Sequence, residues 1–183
     1  MRALRDMLAG TLWETEKEAI RKAFDKRCVY CNVEVRPEKE AKGQGVEPER
    51  FDHDVPVAKR GLSVFGNIVL ACKVCDDNLQ ENAWEPWARK LKSIESGGQT
   101  RPLDVDGIRE RMKQGRDTLE RGGHDVSFSP DWFDGLPQEL KDEITGLERQ
   151  IHALDERAED AAGRVHAPLG IHQDRRRRSK PAR

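Results

Sequence analysis

Four cysteines in two Cys-x-x-Cys pairs are the residues of this 183-residue chain whose types and spacing most clearly indicate chemistry. The pairs are Cys28 with Cys31 and Cys72 with Cys75. Together they supply four thiolates, the number that encloses one zinc ion tetrahedrally and leaves no position open for a substrate. The sequence therefore predicts a structural Zn²⁺ site formed by these four side chains.

Between and just after the pairs lie polar residues that could form a catalytic site. They are Asp52, His53, Asn67 and Asp76, the last directly following the final cysteine. An imidazole titrates near neutrality and can take a proton from a water molecule that attacks a phosphodiester. Carboxylates suit hard divalent cations such as Mg²⁺ or Mn²⁺. Neighbours on a strand point to opposite faces, so Asp52 and His53 can serve cation and water separately.

These residues carry a resemblance to a known family. With the first cysteine pair, the segment FDHDVPVAKRGLSVFGNIVLACKVCDDN at 51–78 resembles the HNH nucleases in their zinc-stapled ββα-metal form. It is particularly similar to endonuclease VII-like enzymes, in which an Asp-His pair lies between two cysteine pairs. The resemblance covers residues 24–90 and implies a bacterial or phage-encoded endonuclease that hydrolyses DNA.

The resemblance also implies a role for each site residue. His53 is the general base, Asn67 holds the histidine-bearing loop through hydrogen bonds, and Asp52 and Asp76 bind a catalytic Mg²⁺ or Mn²⁺. Asp76 departs from the family pattern, which usually has Asn or His there. The residues that follow it are acidic, where the family usually has basic ones. Candidate DNA contacts are therefore few: Lys59, Arg60, Lys73, Arg175, Arg176, Arg177 and Arg178.

Composition limits the size of the core and favours one compartment. Charged residues make up 37% of the chain and hydrophobic residues 36%, so the core is small and a bound metal would help to hold it. The net charge is −1, yet residues 172–183 carry six Arg or Lys side chains and one Asp. No apolar run reaches membrane-spanning length, and Asp6 interrupts the only candidate leader. We expect a soluble cytoplasmic protein, in which paired Cys-x-x-Cys motifs indicate metal more often than disulfides.

The elements that must position the site predict an α+β fold. Apolar spacing indicates a helix at 11–26, two short strands at 51–57 and 68–71, and a helix at 73–82 that ends or kinks near Pro86. Trp84 and Trp87 should pack against the zinc-centred core. We divide the chain into an N-terminal helix, the nuclease domain, a helical connector, a heptad-patterned helix and a basic disordered tail, at 1–23, 24–95, 96–136, 137–166 and 167–183. A Gly-Gly break at 97–98 ends the nuclease domain.

The helix at 137–166 carries a heptad seam. Its apolar residues alternate at spacings of four and three: Leu140, Ile144, Leu147, Ile151, Leu154, Ala158, Ala161 and Val165. This spacing predicts a coiled coil, and a homodimer through this helix is one expected partner. A parallel pair would place Glu143 opposite Glu148, so an antiparallel dimer and an intramolecular hairpin with the helix at 104–121 stay open.

A second function is consistent with the same residues. Two cysteine pairs also occur in zinc modules that bind nucleic acid or protein without catalysis, and the coiled coil would then be the main working part. Divalent-dependent DNA cleavage distinguishes this alternative from the nuclease.

Overall fold

The computed structural model describes residues 12–41, 45–80 and 82–166, and their side chains except those at 155–156 and 158–166. The chain divides into two compact units, one ending at Gly135 and the other beginning at Leu136. Residues 1–11 and the predicted tail at 167–183 lie outside the described residues.

The described residues form a mixed α+β fold, as the sequence predicts. The helices are α1 (Glu14–Ala23), α2 (Lys73–Leu79), α3 (Trp84–Leu91), α4 (Val105–Arg121) and α5 (Gln138–His166). The strands are β1 (Glu34–Arg36), β2 (Val46–His53), β3 (Ile68–Cys72), β4 (Ser93–Ser96) and β5 (Gln99–Pro102). No helix among these residues is both long and apolar enough to cross a membrane.

The hairpin of β2 and β3 positions the Asp-His pair. β3 reads IVLAC, is buried along its whole length and pairs antiparallel with β2 in one register. In that antiparallel register Asp52 lies opposite Val69 and His53 opposite Ile68. β1 pairs in parallel with the start of β2. β3 runs directly into α2, which packs against β2, so the chain order is strand, strand, helix.

A small core joins this hairpin to α1 and α4. Ile20 of α1 and Ile108 of α4 are fully buried, and Phe24 packs against Gly115. A Cβ at Gly115 would lie 2.5 Å from the Phe24 ring, so α1 and α4 approach each other closely because position 115 lacks a side chain. The apolar face of α4 is thus filled within the first unit.

Three expectations about element boundaries are wrong. The first strand of the hairpin is predicted at 51–57 but spans Val46–His53, because the residues before 51 pair with β1 and β3. Gly97 and Gly98 do not separate the module from a helical connector; with φ of +61° and +74° they form the turn between β4 and β5. Pro86 does not end a helix but lies in the first turn of α3, where a proline costs no intrahelical hydrogen bond. Trp84 and Trp87 pack against the core as predicted.

Candidate functional site

The four cysteines lie together in the core. All four are buried, and their Sγ atoms lie within 4.8 Å of one another. The Sγ atoms of Cys31 and Cys72 are 3.7 Å apart. A tetrahedral zinc with Zn–S bonds of about 2.3 Å requires sulfur atoms about 3.8 Å apart. The cysteines therefore fit a closed metal site, and among the described residues no other group of three or more potential ligands is this close.

Tight backbone turns present the thiols to one another. In the first pair, Cys28 N donates to Val33 O and Asn32 N donates to Cys28 O, both at 2.9 Å. In the second pair, Cys72 caps α2, and its Sγ accepts from Cys75 N at 3.3 Å. Each pair thus bends the chain back on itself, which directs both of its thiols to one side.

Two polar side chains of later elements contact the cysteines or the turn between Cys28 and Cys31. The Arg111 guanidinium donates to Val29 O at 2.7 Å and to Tyr30 O at 2.9 Å, which holds the first pair against α4. Ser96 Oγ lies 3.6 Å from Cys72 Sγ. Burial raises the pKa of the Cys28 thiol, because a thiolate there has lost its water. A bound divalent cation would supply the missing compensation.

Asp52 and His53 are half-buried at the end of β2, and Asp52 is held on both of its oxygens. The Tyr30 hydroxyl donates to Asp52 Oδ2 at 2.8 Å, and His53 N donates to Oδ1 at 2.8 Å. Burial, and then the nearby Asp52 charge, raise the pKa of Tyr30 well above its usual value. The hydroxyl therefore stays protonated and donates to the carboxylate. Tyr30 lies inside the first cysteine pair, so one side chain connects the two sites.

The His53 ring is oriented by a loop serine. His53 Nε2 lies 3.0 Å from Ser63 Oγ. When Nε2 carries the proton and donates to Ser63, Nδ1 carries the lone pair that can accept a proton. Sequence reasoning missed Ser63, because no local pattern links a serine to a histidine 10 residues earlier in the chain.

Asn67 fastens the loop that follows His53. Its side chain is fully buried. Oδ1 accepts from Val55 N at 2.8 Å, and Nδ2 donates to Val55 O at 3.1 Å and to Leu62 O at 2.9 Å. A Cβ at Gly61 would lie 1.7 Å from Val55 O, so only glycine permits this close approach. Asn67 therefore holds both ends of the loop, while its part in catalysis stays a prediction.

Asp54 is a second residue that sequence reasoning missed. It accepts from Trp84 Nε1 at 2.8 Å and from Arg116 Nη2 at 2.5 Å, and its own N donates to Asn67 O at 2.8 Å. These hydrogen bonds connect the end of the hairpin to α3 and α4. The partners are 30 and 62 residues away in sequence, so no local spacing could have revealed them.

A cleft of about 410 Å³ lies beside Asp54 and is lined by three cations of α4. Each is paired with an acid: Arg109 with Glu85, Lys113 with Asp117 and Arg116 with Asp54. The cleft is therefore close to neutral, and we do not assign it a phosphate.

Asp76 lies in the first turn of α2 and is buried. α2 packs against β2, the strand that carries Asp52. Within the described part of the chain, Asp52, His53 and Asp76 do not form a group of three close ligands like the cysteines. A cation on Asp52 and Asp76 thus stays a prediction, and water and substrate would have to complete its shell.

The predicted DNA contacts differ in their surroundings. Lys59 is exposed at the end of a short 3-10 turn. The Arg60 guanidinium stacks on the Phe133 ring, 3.3 Å from its centroid. Lys73 forms an ion pair with Asp77. The four tail arginines, Arg175 to Arg178, lie outside the described residues. Of the three described cations, Lys59 is therefore the one best exposed to a phosphate.

No family model, curated protein or solved structure matches this chain. We therefore infer a function from the residues and contacts described above.

Proposed function

We propose that this protein is a metal-dependent HNH-type endonuclease that hydrolyses phosphodiester bonds in DNA. One observation carries the proposal. An Asp-His pair ends the first strand of a hairpin, a buried asparagine fastens the hairpin loop, and a helix follows the second strand. This is the order of elements that the resemblance implies for a ββα-metal core, and the cysteine site lies at its strand–helix junction.

His53 is the general base of the proposed reaction. It takes a proton from a water molecule, the water oxygen forms a bond to phosphorus, and the bond from phosphorus to the leaving oxygen breaks. Ser63 supports this role because it orients the ring through Nε2. Asn67 supports it because it keeps the following loop from shifting.

Asp52 and Asp76 would hold the catalytic Mg²⁺ or Mn²⁺. When bound, such an ion neutralises charge that develops on the phosphate and the leaving oxygen. Tyr30 and the His53 backbone amide orient Asp52 with one hydrogen bond to each carboxylate oxygen. A carboxylate oxygen has two lone pairs, so one hydrogen bond to it does not by itself prevent metal binding.

A zinc ion in the cysteine site would be structural. Four thiolates fill a tetrahedral shell, so substrate cannot reach that metal. The site joins the first cysteine pair to the β3–α2 junction and thereby fixes Tyr30 against Asp52.

DNA is the proposed partner, although α2 is acidic where it would approach the substrate. Lys59, Arg60 and Lys73 offer the nearby positive charge. Arginines of the tail would add attraction, since phosphate contacts dominate the affinity of proteins for DNA.

Incubation of the purified protein with supercoiled plasmid tests the function. With Mg²⁺ or Mn²⁺ we expect nicked or linear products, and none with a chelator. His53→Ala should lower the rate by about 10²- to 10⁴-fold with fold and zinc content unchanged. His152→Ala, a histidine exposed on α5, is the matched control and should cleave like the wild type.

Two outcomes would overturn the proposal. Equal cleavage by wild type and His53→Ala means that the base is wrongly assigned. Absence of cleavage on several DNA forms and metals favours the non-catalytic zinc module instead.

A further inference from the structure

The helix α5 displays a regular row of exposed leucines. Leu140, Leu147 and Leu154 are 45%, 47% and 53% exposed and seven residues apart. Ile144 and Ile151 are half-buried and lie between them on the same face. Among the described residues five large apolar side chains are exposed, and three of them are these leucines. Burial of such a face removes apolar area from water and is favourable.

We infer that this face is the contact between two copies of the chain, which pair through α5 as an antiparallel two-stranded coiled coil centred near Arg149. The inference does not depend on the proposed nuclease activity. A hairpin between α5 and α4 would need the apolar face of α4, and that face already packs against α1.

The residue types on the seam favour two strands. With leucine at heptad position d, the isoleucines Ile144 and Ile151 occupy position a. β-branched residues at a and leucine at d are typical of two-stranded coiled coils. In the antiparallel register centred near Arg149, Ile144 packs on Leu154 of the second copy, and Leu147 packs on its Ile151. All four of these large residues then face one another.

Charge decides between the two orientations. In a parallel pair, Glu143 of each copy faces Glu148 of the other, which gives two like-charge contacts. In the antiparallel register, Glu143 faces Arg157 of the second copy, twice by symmetry. Glu143 and Arg157 are both exposed. The antiparallel register keeps one like-charge contact, between Glu148 and Glu148 of the second copy, against the two attractive contacts of Glu143 with Arg157. Charge complementarity therefore selects the antiparallel dimer.

Sedimentation of the full chain over a range of micromolar concentrations tests whether the dimer forms. We expect a reversible monomer–dimer equilibrium, because the large apolar residues span only Leu140 to Leu154. Leu147→Glu places a charge in the seam and should give a monomer throughout. Arg149→Glu changes more charge but lies on the outer face, so it should remain a dimer. Circular dichroism and zinc content check that each variant is folded.

A charge swap tests the orientation. Glu143→Arg should weaken the antiparallel dimer about tenfold, since it turns two attractive contacts into repulsive ones. Adding Arg157→Glu should restore the wild-type dissociation constant. Tighter dimerisation of Glu143→Arg would show a parallel pair and overturn the inferred orientation.

A wild-type chain that stays monomeric at the highest concentration overturns the dimer itself. Deletion of residues 1–11 then tests one explanation for a monomeric chain, namely that its own N-terminal segment covers the seam. If the shortened chain dimerises, a segment of the chain's own N-terminus competes for the seam, which also contradicts the inference.

Discussion

The cysteine site and the histidine hairpin share strand β3 but differ in what they leave open. The four cysteines are buried and offer a complete shell from their own side chains. Asp52 and His53 are half-buried, and their hydrogen-bond partners orient them without enclosing them. A closed shell holds a metal and excludes substrate, whereas an open one must admit it. We infer from this comparison that the cysteine site fixes the geometry of Asp52 and His53.

Tyr30 is the point at which this dependence can be seen. Its backbone belongs to the first cysteine pair, and its carbonyl accepts from Arg111 of α4. Its hydroxyl donates to Asp52. Cys72 in turn ends β3, the strand that fixes the register of His53. We call the four cysteines the closed site, and Asp52, His53 and Asp76 the open site. Loss of the closed site should therefore disturb the open site, whereas loss of the open site should leave the closed site intact.

The largest expected effect is loss of the closed site. Cys28→Ala or Cys75→Ala removes a ligand, and the free energy of zinc binding that is lost is on the order of 10 kcal/mol. This is comparable to the whole stability of a small domain, about 5–15 kcal/mol, so cooperative thermal unfolding should disappear together with bound zinc. Ser96→Ala, beside Cys72, is the control and should unfold cooperatively. A cooperatively folded wild type without zinc would contradict the structural role.

The next effect should be confined to the open site. Asp76→Ala removes a proposed cation ligand and should abolish cleavage while zinc content holds. Asp76→Asn keeps an oxygen ligand, so activity should persist with an altered preference between Mg²⁺ and Mn²⁺. Asp77→Ala, at an exposed neighbour, should cleave like the wild type. Full activity of Asp76→Ala combined with loss in Asp77→Ala would move the ligand by one residue.

The two sites also differ in how far the sequence alone could define them. The cysteine site follows from spacing, since two short turns must each present two thiols whatever the surrounding fold. The apolar run of β3 was enough to predict that strand, but its partner was predicted at 51–57 and lies at Val46–His53, so Asp52 and His53 end the strand instead of beginning it. The loop-holding role of Asn67 was implied by the resemblance, and the structure adds its hydrogen bonds to Val55 and Leu62.

What the sequence could not show depends on contacts across long separations. Asp54 meets Trp84 and Arg116, and Tyr30 meets Asp52, 22 residues away. The β4–β5 hairpin was missed because Gly-Gly marks a break as readily as a turn. The long helix over 137–166 was expected from its heptads and is present as α5. Its coiled-coil partner stays a prediction, because a single sequence specifies the apolar face but not its occupant.

A moderate effect should appear where the two sites meet. Tyr30→Phe keeps the ring, which packs edge-on against Trp87, and removes only the hydroxyl that donates to Asp52. Loss of such an orienting hydrogen bond typically costs 10- to 100-fold in metal affinity, so we expect about a tenfold higher Mn²⁺ requirement. Zinc content and cooperative unfolding should persist. The Mn²⁺ requirement is measured by titrating Mn²⁺ in cleavage assays, and Mn²⁺ binding is followed separately by electron paramagnetic resonance.

An unchanged Mn²⁺ requirement in Tyr30→Phe would show that the closed site supports the hairpin through packing alone. Loss of zinc in the same variant would mean that the hydroxyl stabilises the cysteine site instead.

The smallest effect should distinguish the sites by their sensitivity to salt. The closed site meets no DNA, so its zinc content should not depend on salt or on the tail. As the proposed nuclease site, the Asp52–His53 site would have to attract a polyanion although α2 is acidic, and residues 172–183 carry six Arg or Lys side chains. Each phosphate that such a side chain neutralises steepens the logarithmic salt dependence of DNA binding by about 0.9. Removal of 172–183 should therefore weaken binding and flatten that slope by several units, with the cleavage rate at saturating DNA unchanged.

Binding titrations at three salt concentrations measure the slope, and Lys59→Ala is the control for one lost contact near the hairpin. An unchanged slope after truncation would assign the attraction to Lys59, Arg60, Lys73 and the helices, and the tail would then take no part in DNA binding.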